Sequence, residues 1–109
     1  MASEKYDYVL TGTAESDIDN VLSYISINLG NVVAAKALAD EFIDQIDKFC
    51  LEPRAGKVVE NEFLKRDDVR YFLVKNYIAY YIVDDVYKKI VVLRFVYGKS
   101  NQDSILGGM

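Results

Sequence analysis

The sequence predicts a two-layer α+β fold, in which a helical hairpin packs on one face of a mostly antiparallel sheet. Two long segments in the first half carry apolar residues at helical spacing. Three segments in the second half are rich in β-branched and aromatic residues, as strands are. The chain has 109 residues, 51% of them hydrophobic, which suits one core. We therefore expect a single domain over residues 1–109.

The first half predicts one strand followed by two helices. Residues 6–11 are β-prone, and Thr13 then offers a hydroxyl for a helix N-cap. The first helix ends at Gly30, and Asn31 caps a second helix that continues to about Cys50, where the only proline follows. The apolar stripes are Ile18, Val21, Leu22, Ile25 and Leu29 in the first helix, and Ala35, Leu38, Phe42, Ile46 and Phe49 in the second.

The second half predicts a loop followed by a β-meander. Residues 54–68 are polar and form the loop, with a short extended piece at 57–59. Short polar connections separate the strands that follow, so we expect them to pair in antiparallel fashion. The predicted strands are Val69–Val74, Tyr77–Asp84 and Lys89–Tyr97. Residues 99–109 are predicted to form a frayed tail, and the order is strand, helix, helix, strand, strand, strand.

Composition excludes several kinds of site. Cys50 is the only cysteine and the chain has no histidine, which rules out an internal disulfide, histidine general-base catalysis and histidine or cysteine metal clusters. We predict no metal and no cofactor. The apolar runs are far shorter than the roughly 20 residues of a membrane-spanning helix. Residues 1–7 lack the apolar stretch of a secretory signal, so we expect neither membrane association nor export.

The net charge of −4 conceals a difference between the two halves of the chain. Residues 1–52 carry ten acidic and three basic side chains, whereas residues 53–109 carry seven acidic and ten basic ones. An acidic balance argues against a general nucleic-acid-binding surface. A local basic site in the second half remains open, as does a purely solvated surface on both halves.

Short motifs along the chain carry a family resemblance. In order, they are Ala14–Ile18, Tyr24-Ile25, Ala34-Ala35, Pro53, Gly56, Arg70, Asn76-Tyr77, Tyr81–Asp84 and Leu93–Lys99. In this order and spacing the chain resembles the RelE/ParE superfamily of toxins from type II toxin–antitoxin systems, over about residues 6–103. The resemblance implies a small cytoplasmic bacterial protein that a cognate antitoxin neutralises. It also implies one of two actions, namely poisoning of DNA gyrase or cleavage of mRNA on the ribosome.

Four residues are candidates for catalysis if the chain is a nuclease. Attack by an RNA 2′-hydroxyl needs a base, an acid and cations for the growing phosphate charge. Arg70 and Arg94 could hold the phosphate, Tyr97 could donate a proton or stack on a base, and Lys99 follows in the next turn. The alternative is structural: both arginines lie on the solvent side of amphipathic strands, and Tyr97 packs in the core or at the edge of the sheet.

The resemblance leaves the target open between two macromolecules. The acidic balance favours a ParE-like inhibitor of an essential target such as DNA gyrase. The resemblance favours it too, because Tyr97, Lys99 and Ser100 stand where the family often has histidine and arginines. A ribosome-dependent mRNA endoribonuclease and a degenerate module that only binds antitoxin are the alternatives. The resemblance also leaves open a homodimer or a hetero-oligomer with the antitoxin.

Overall fold

A computed structural model of the protein describes residues 5–109. The elements in chain order are β1 (Asp7–Leu10), α1 (Gly12–Ser23), a π-helical turn (Tyr24–Asn28), α2 (Val32–Leu51), β2 (Lys57–Val58), β3 (Arg70–Val74), β4 (Tyr77–Asp84), β5 (Lys89–Tyr97) and α3 (Gln102–Gly107). Residues 1–7, for which no secretory signal is predicted, lie partly outside the described residues. Within residues 5–109, no helix has the length and apolar character needed to cross a bilayer.

The five strands form one mixed sheet in the order β1-β5-β4-β3-β2. β1 pairs with β5 in parallel, with Asp7 opposite Lys89 and Leu10 opposite Val92, and the other three pairings are antiparallel. The extended piece predicted near residue 57 is β2, which pairs with β3 at the sheet edge. The structure therefore confirms the predicted two-layer α+β fold.

The helical hairpin covers one face of the sheet, as predicted. Burial of apolar side chains between α1, α2 and the sheet drives this packing. Phe42 of α2 is central, since its ring lies 5.4 Å from that of Phe95 and 6.3 Å from that of Phe72. Leu29 is the exception in the predicted stripe. It is exposed because it lies at the corner of the hairpin, where Gly30 with φ of 60° reverses the chain.

The predicted frayed tail is wrong, because the end of the chain folds onto the opposite face of the sheet. Asn101 caps α3 by accepting the N–H of Ser104 at 3.2 Å, and Leu106 is buried. Burying this leucine under the sheet offsets the entropy of ordering the segment. The second core consists of Leu64, Val69, Tyr80, Val96 and Leu106.

The predicted N-cap of α1 lies two residues too late. Thr11 is the cap, since its Oγ1 accepts the N–H of Ala14 at 3.1 Å, and its hydroxyl also donates to the carbonyl of Leu93 at 3.0 Å. This second hydrogen bond connects the start of α1 to β5, and a cap at Thr13 would not place the Thr11 hydroxyl in both bonds. The predicted cap of α2 is confirmed, because Asn31 Oδ1 accepts the N–H of Ala34 at 3.0 Å.

Candidate functional site

A β-bulge in β5 positions the candidate residue Arg94. Tyr80 of β4 lies opposite Arg94, whereas the next residue, Tyr81, lies opposite Val92. Leu93 is therefore the extra residue of the bulge. Bulges of this kind re-aim side chains and leave backbone groups that need other partners. Here those partners come from α1 and the residue that precedes it.

Asp17 of α1 accepts three hydrogen bonds from residues at the bulge. Arg94 donates from Nε to Asp17 Oδ2 at 2.7 Å and from Nη2 to Oδ1 at 3.2 Å, and the N–H of Phe95 donates to Oδ2 at 3.0 Å. The side chain of Arg94 is 30% exposed and that of Asp17 is 16% exposed. The hydrogen bond to Asp17 raises the pKa of Arg94. The guanidinium is thus neutralised by an intramolecular carboxylate that occupies two of its donors.

Arg70 donates hydrogen bonds to the turn that follows α2. Its Nη1 donates to the carbonyl oxygens of Gly56 at 2.8 Å and Arg54 at 3.1 Å. The neighbouring Tyr81 hydroxyl donates to the carbonyl of Pro53 at 2.8 Å and accepts the N–H of Gly56 at 3.1 Å. Together the two side chains hold the turn against the end of the sheet. These contacts give Arg70 a structural function in the isolated chain.

Tyr97 and Lys99 lie at the other end of β5. The Tyr97 ring meets that of Tyr77 edge-on at 5.6 Å, and both line a cavity of about 560 Å³ together with Tyr24 of the π-helical turn. Burial raises the pKa of Tyr77. The Lys99 side chain is exposed in the following turn and forms no hydrogen bond or ion pair with any of residues 5–109.

The four candidate residues do not share one set of partners. Arg70 and Arg94 lie on strands that flank β4, one bound to the turn after α2 and the other to α1. Tyr97 and Lys99 are near each other at the end of β5, beyond the bulge. Tyr97 and Lys99 are therefore exposed to a binding partner, whereas both arginines are hydrogen-bonded to other groups of the chain.

An ionic cluster that was not predicted from the sequence lies beside the start of β1. Asp85, after β4, accepts a hydrogen bond from the hydroxyl of Tyr6 at 2.7 Å and one from Arg54 Nη2 at 2.6 Å. These bonds lower the pKa of Asp85 to about 2. The three residues are remote from one another in the sequence, so no local pattern indicates the cluster. It connects the chain before β1, the turn after α2 and the β4–β5 connection.

An apolar pocket opens between the helices and the sheet. It has a volume of about 160 Å³, and its wall is almost entirely apolar, with Ile18 and Leu22 from α1 and Ala39 and Ile43 from α2. Such a lining suits apolar side chains of a partner. Within residues 5–109, no group of three potential ligands among histidine, cysteine, aspartate and glutamate is arranged to hold a metal ion.

Comparisons with known proteins identify the family. A family model described as the ParE toxin of type II toxin–antitoxin systems, parDE, matches residues 8–101. Among solved structures, the fold is similar to a chromosomal ParDE toxin–antitoxin system from P. aeruginosa, with a TM-score of 0.66 and 18% identity over 87% of this chain and 98% of that one. It is also similar to the toxin–antitoxin complex RelBE2 from Mycobacterium tuberculosis, with a TM-score of 0.58 and 20% identity over 85% of this chain and 98% of that one. No curated protein matches the sequence.

Proposed function

Because the chain belongs to the ParE family of toxins from type II toxin–antitoxin systems, we propose that it inhibits DNA gyrase by binding rather than by catalysis. One observation carries the proposal. Both arginines that a nuclease would need are bound within the fold, Arg94 to a carboxylate and Arg70 to two backbone carbonyls. A binding inhibitor needs neither to be free.

RNA cleavage would require these contacts to be rebuilt. Stabilising a phosphorane depends on donors that are already aimed at the reacting oxygens. Releasing Arg94 from Asp17 would leave a carboxylate beside the phosphate, and its negative charge would oppose RNA binding. The chain also lacks histidine, the side chain that serves most often as a general base near neutral pH. The acidic balance of the first half adds a long-range repulsion of RNA.

We further propose that a cognate antitoxin is the partner that neutralises this protein in the cytoplasm. The two similar structures are titled as toxin–antitoxin systems or complexes. In this chain, the apolar pocket between α1, α2 and the sheet offers a seat for an amphipathic helix. The exposed Asp44 follows the pocket residue Ile43 on α2 and would attract a basic residue of that helix.

The antitoxin proposal is tested by co-expression with the adjacent reading frame. We expect a stable complex with nanomolar affinity or better, on the order of −12 kcal/mol. Size-exclusion chromatography at micromolar concentration measures it. Separate elution of the two chains would refute the partner.

A ribosome-dependent mRNA endoribonuclease is the second candidate. The exposure of Tyr97 and Lys99 at the end of β5 favours it, because a phenol and an ammonium can bind a base and a phosphate. In this alternative, Arg94 would have to leave Asp17 when RNA binds. A degenerate module that binds only antitoxin is tested by the same assays.

Gyrase supercoiling and ribosomal mRNA cleavage, measured in parallel on the purified chain, decide between the candidates. We expect inhibited supercoiling and no cleavage by primer extension. The variant Tyr97→Phe/Lys99→Ala should keep its inhibitory activity, since neither group serves a catalytic step in a binding inhibitor. Codon-phased cuts by the wild type that disappear in this variant would establish the nuclease instead. Activity in neither assay, with antitoxin binding retained, would indicate the degenerate module.

A further inference from the structure

The corner of the helical hairpin carries no charge. From residue 20 to residue 35 there is no acidic or basic side chain, although 28% of the whole chain is charged. The run begins after Asp19 and ends before Lys36, and it includes the end of α1, the π-helical turn and the start of α2. A solvent-exposed corner of a small protein is normally where charged residues collect.

Large apolar side chains occupy this corner and face solvent. Ile27 is 76% exposed and Val33 is 80% exposed. We call the exposed group the hairpin tip, and its members are Tyr24, Ile27, Leu29, Val32 and Val33. Through Tyr24, the hairpin tip is continuous with the cavity that Tyr77 and Tyr97 line. Contiguous exposed apolar groups rimmed by polar ones mark interaction sites in soluble proteins.

Backbone hydrogen bonds order the corner beneath the hairpin tip. The N–H of Leu29 donates to the carbonyl of Tyr24 at 3.0 Å, which closes the π-helical turn, and the N–H of Asn31 donates to that of Ile25 at 3.0 Å. Gly30, with φ of 60°, provides the left-handed residue that this cap requires. The apolar side chains therefore extend from an ordered corner, which lowers the entropy cost of binding. Isolated π-helical turns often occur at functional sites.

We propose that the hairpin tip is the surface that engages the protein target, by inserting into an uncharged, apolar concavity on it. This inference rests on the proposed function, in which the toxin acts by binding. The lack of charge decides the chemistry of the partner. A nucleic acid would need lysine or arginine at the contact, and the segment has neither. A charged protein surface would lose hydration there without gaining a counter-charge.

Two other occupants fit the hairpin tip less well. A second copy of this chain would present the same corner of five side chains. A stable interface buries about 800 Å² on each partner, with roughly 20–30 residues a side, so two such corners are too small to form one. An antitoxin helix has a concave apolar site of its own in the pocket that Ala39 and Ile43 line. The occupant that fits the hairpin tip best is therefore the protein target, with an apolar concavity that receives it.

The test compares two matched double variants. Ile27→Ser/Val33→Ser changes the hairpin tip, and Val86→Ser/Tyr87→Ser changes two side chains in the β4–β5 connection that are 83% and 74% exposed. Both variants should keep the thermal midpoint of the wild type, because exposed side chains add little to stability. The readouts are growth inhibition in cells, the concentration that half-inhibits gyrase supercoiling, antitoxin binding and oligomeric state.

We expect the hairpin-tip variant to need at least ten times more protein for half-inhibition and to lose growth inhibition, while the control variant matches the wild type. Both should bind antitoxin as the wild type does. Retained toxicity of the hairpin-tip variant would overturn the inference, as would loss of antitoxin binding or dissociation of a wild-type dimer, which would identify another occupant. If the wild type inhibits growth without inhibiting gyrase, the proposed target is wrong. The growth readout then still tests the hairpin tip.

Discussion

Replacing Asp17 by alanine is expected to destabilise the protein, because this carboxylate closes the bulge in β5. The substitution removes the acceptor of two Arg94 donors and of the Phe95 N–H. A hydrogen bond to a charged group contributes roughly 1.5–3 kcal/mol, and a buried donor left unsatisfied costs about 1–3 kcal/mol. The Arg94 side chain is 30% exposed, so water replaces part of the loss. We expect the free energy of unfolding to fall by about 2–3 kcal/mol.

Two further variants separate the contributions. Arg94→Ala should cost only about 1 kcal/mol, because Asp17 then still accepts the Phe95 N–H. The double variant completes a thermodynamic cycle, in which we expect a coupling of about 1 kcal/mol. Urea denaturation followed by circular dichroism provides all four values. A loss below about 0.5 kcal/mol for Asp17→Ala would refute the structural assignment and leave Arg94 available to a substrate.

Three further outcomes follow from the packing and the ionic cluster. Phe42→Ala should lower the free energy of unfolding by about 3–5 kcal/mol, since its ring packs on two others in the core; a loss under about 1 kcal/mol in urea denaturation would contradict its core position. Gly56→Ala should lower the thermal midpoint, because the new Cβ would lie 2.8 Å from Cε1 of the buried Tyr81, whereas Ala55→Gly is the control. Because the pKa of Asp85 is lowered from 3.8 to about 2, its contribution to stability is present above pH 3.8 and is lost as the pH falls through about 2. Arg54→Ala should raise this pKa toward 3.8 in a carboxyl NMR titration, and an unchanged value would argue against the ion pair.

Local patterns in the sequence determined the elements of the fold. The stripe of Leu38, Phe42 and Ile46 predicts a buried helix face, since positions three or four residues apart lie on the same side of a helix. The turn residues Gly30 and Asn31 predict the corner of the hairpin because few other residues accept these conformations and cap positions. Composition alone excluded histidine chemistry. These inferences depend on neighbours within a few positions, which the sequence contains directly.

Only the tertiary structure decided the state of the candidate residues. Arg94 meets Asp17, a residue 77 positions away, and Arg70 meets carbonyls near Gly56. The bulge that re-aims Arg94 depends on the pairing of β4 with β5. The burial of Leu106 likewise depends on a sheet face that strands from distant parts of the chain create. Contacts of this range arise from the register and packing of whole elements, so residue spacing predicts where the arginines lie along the strands but not which partners occupy them.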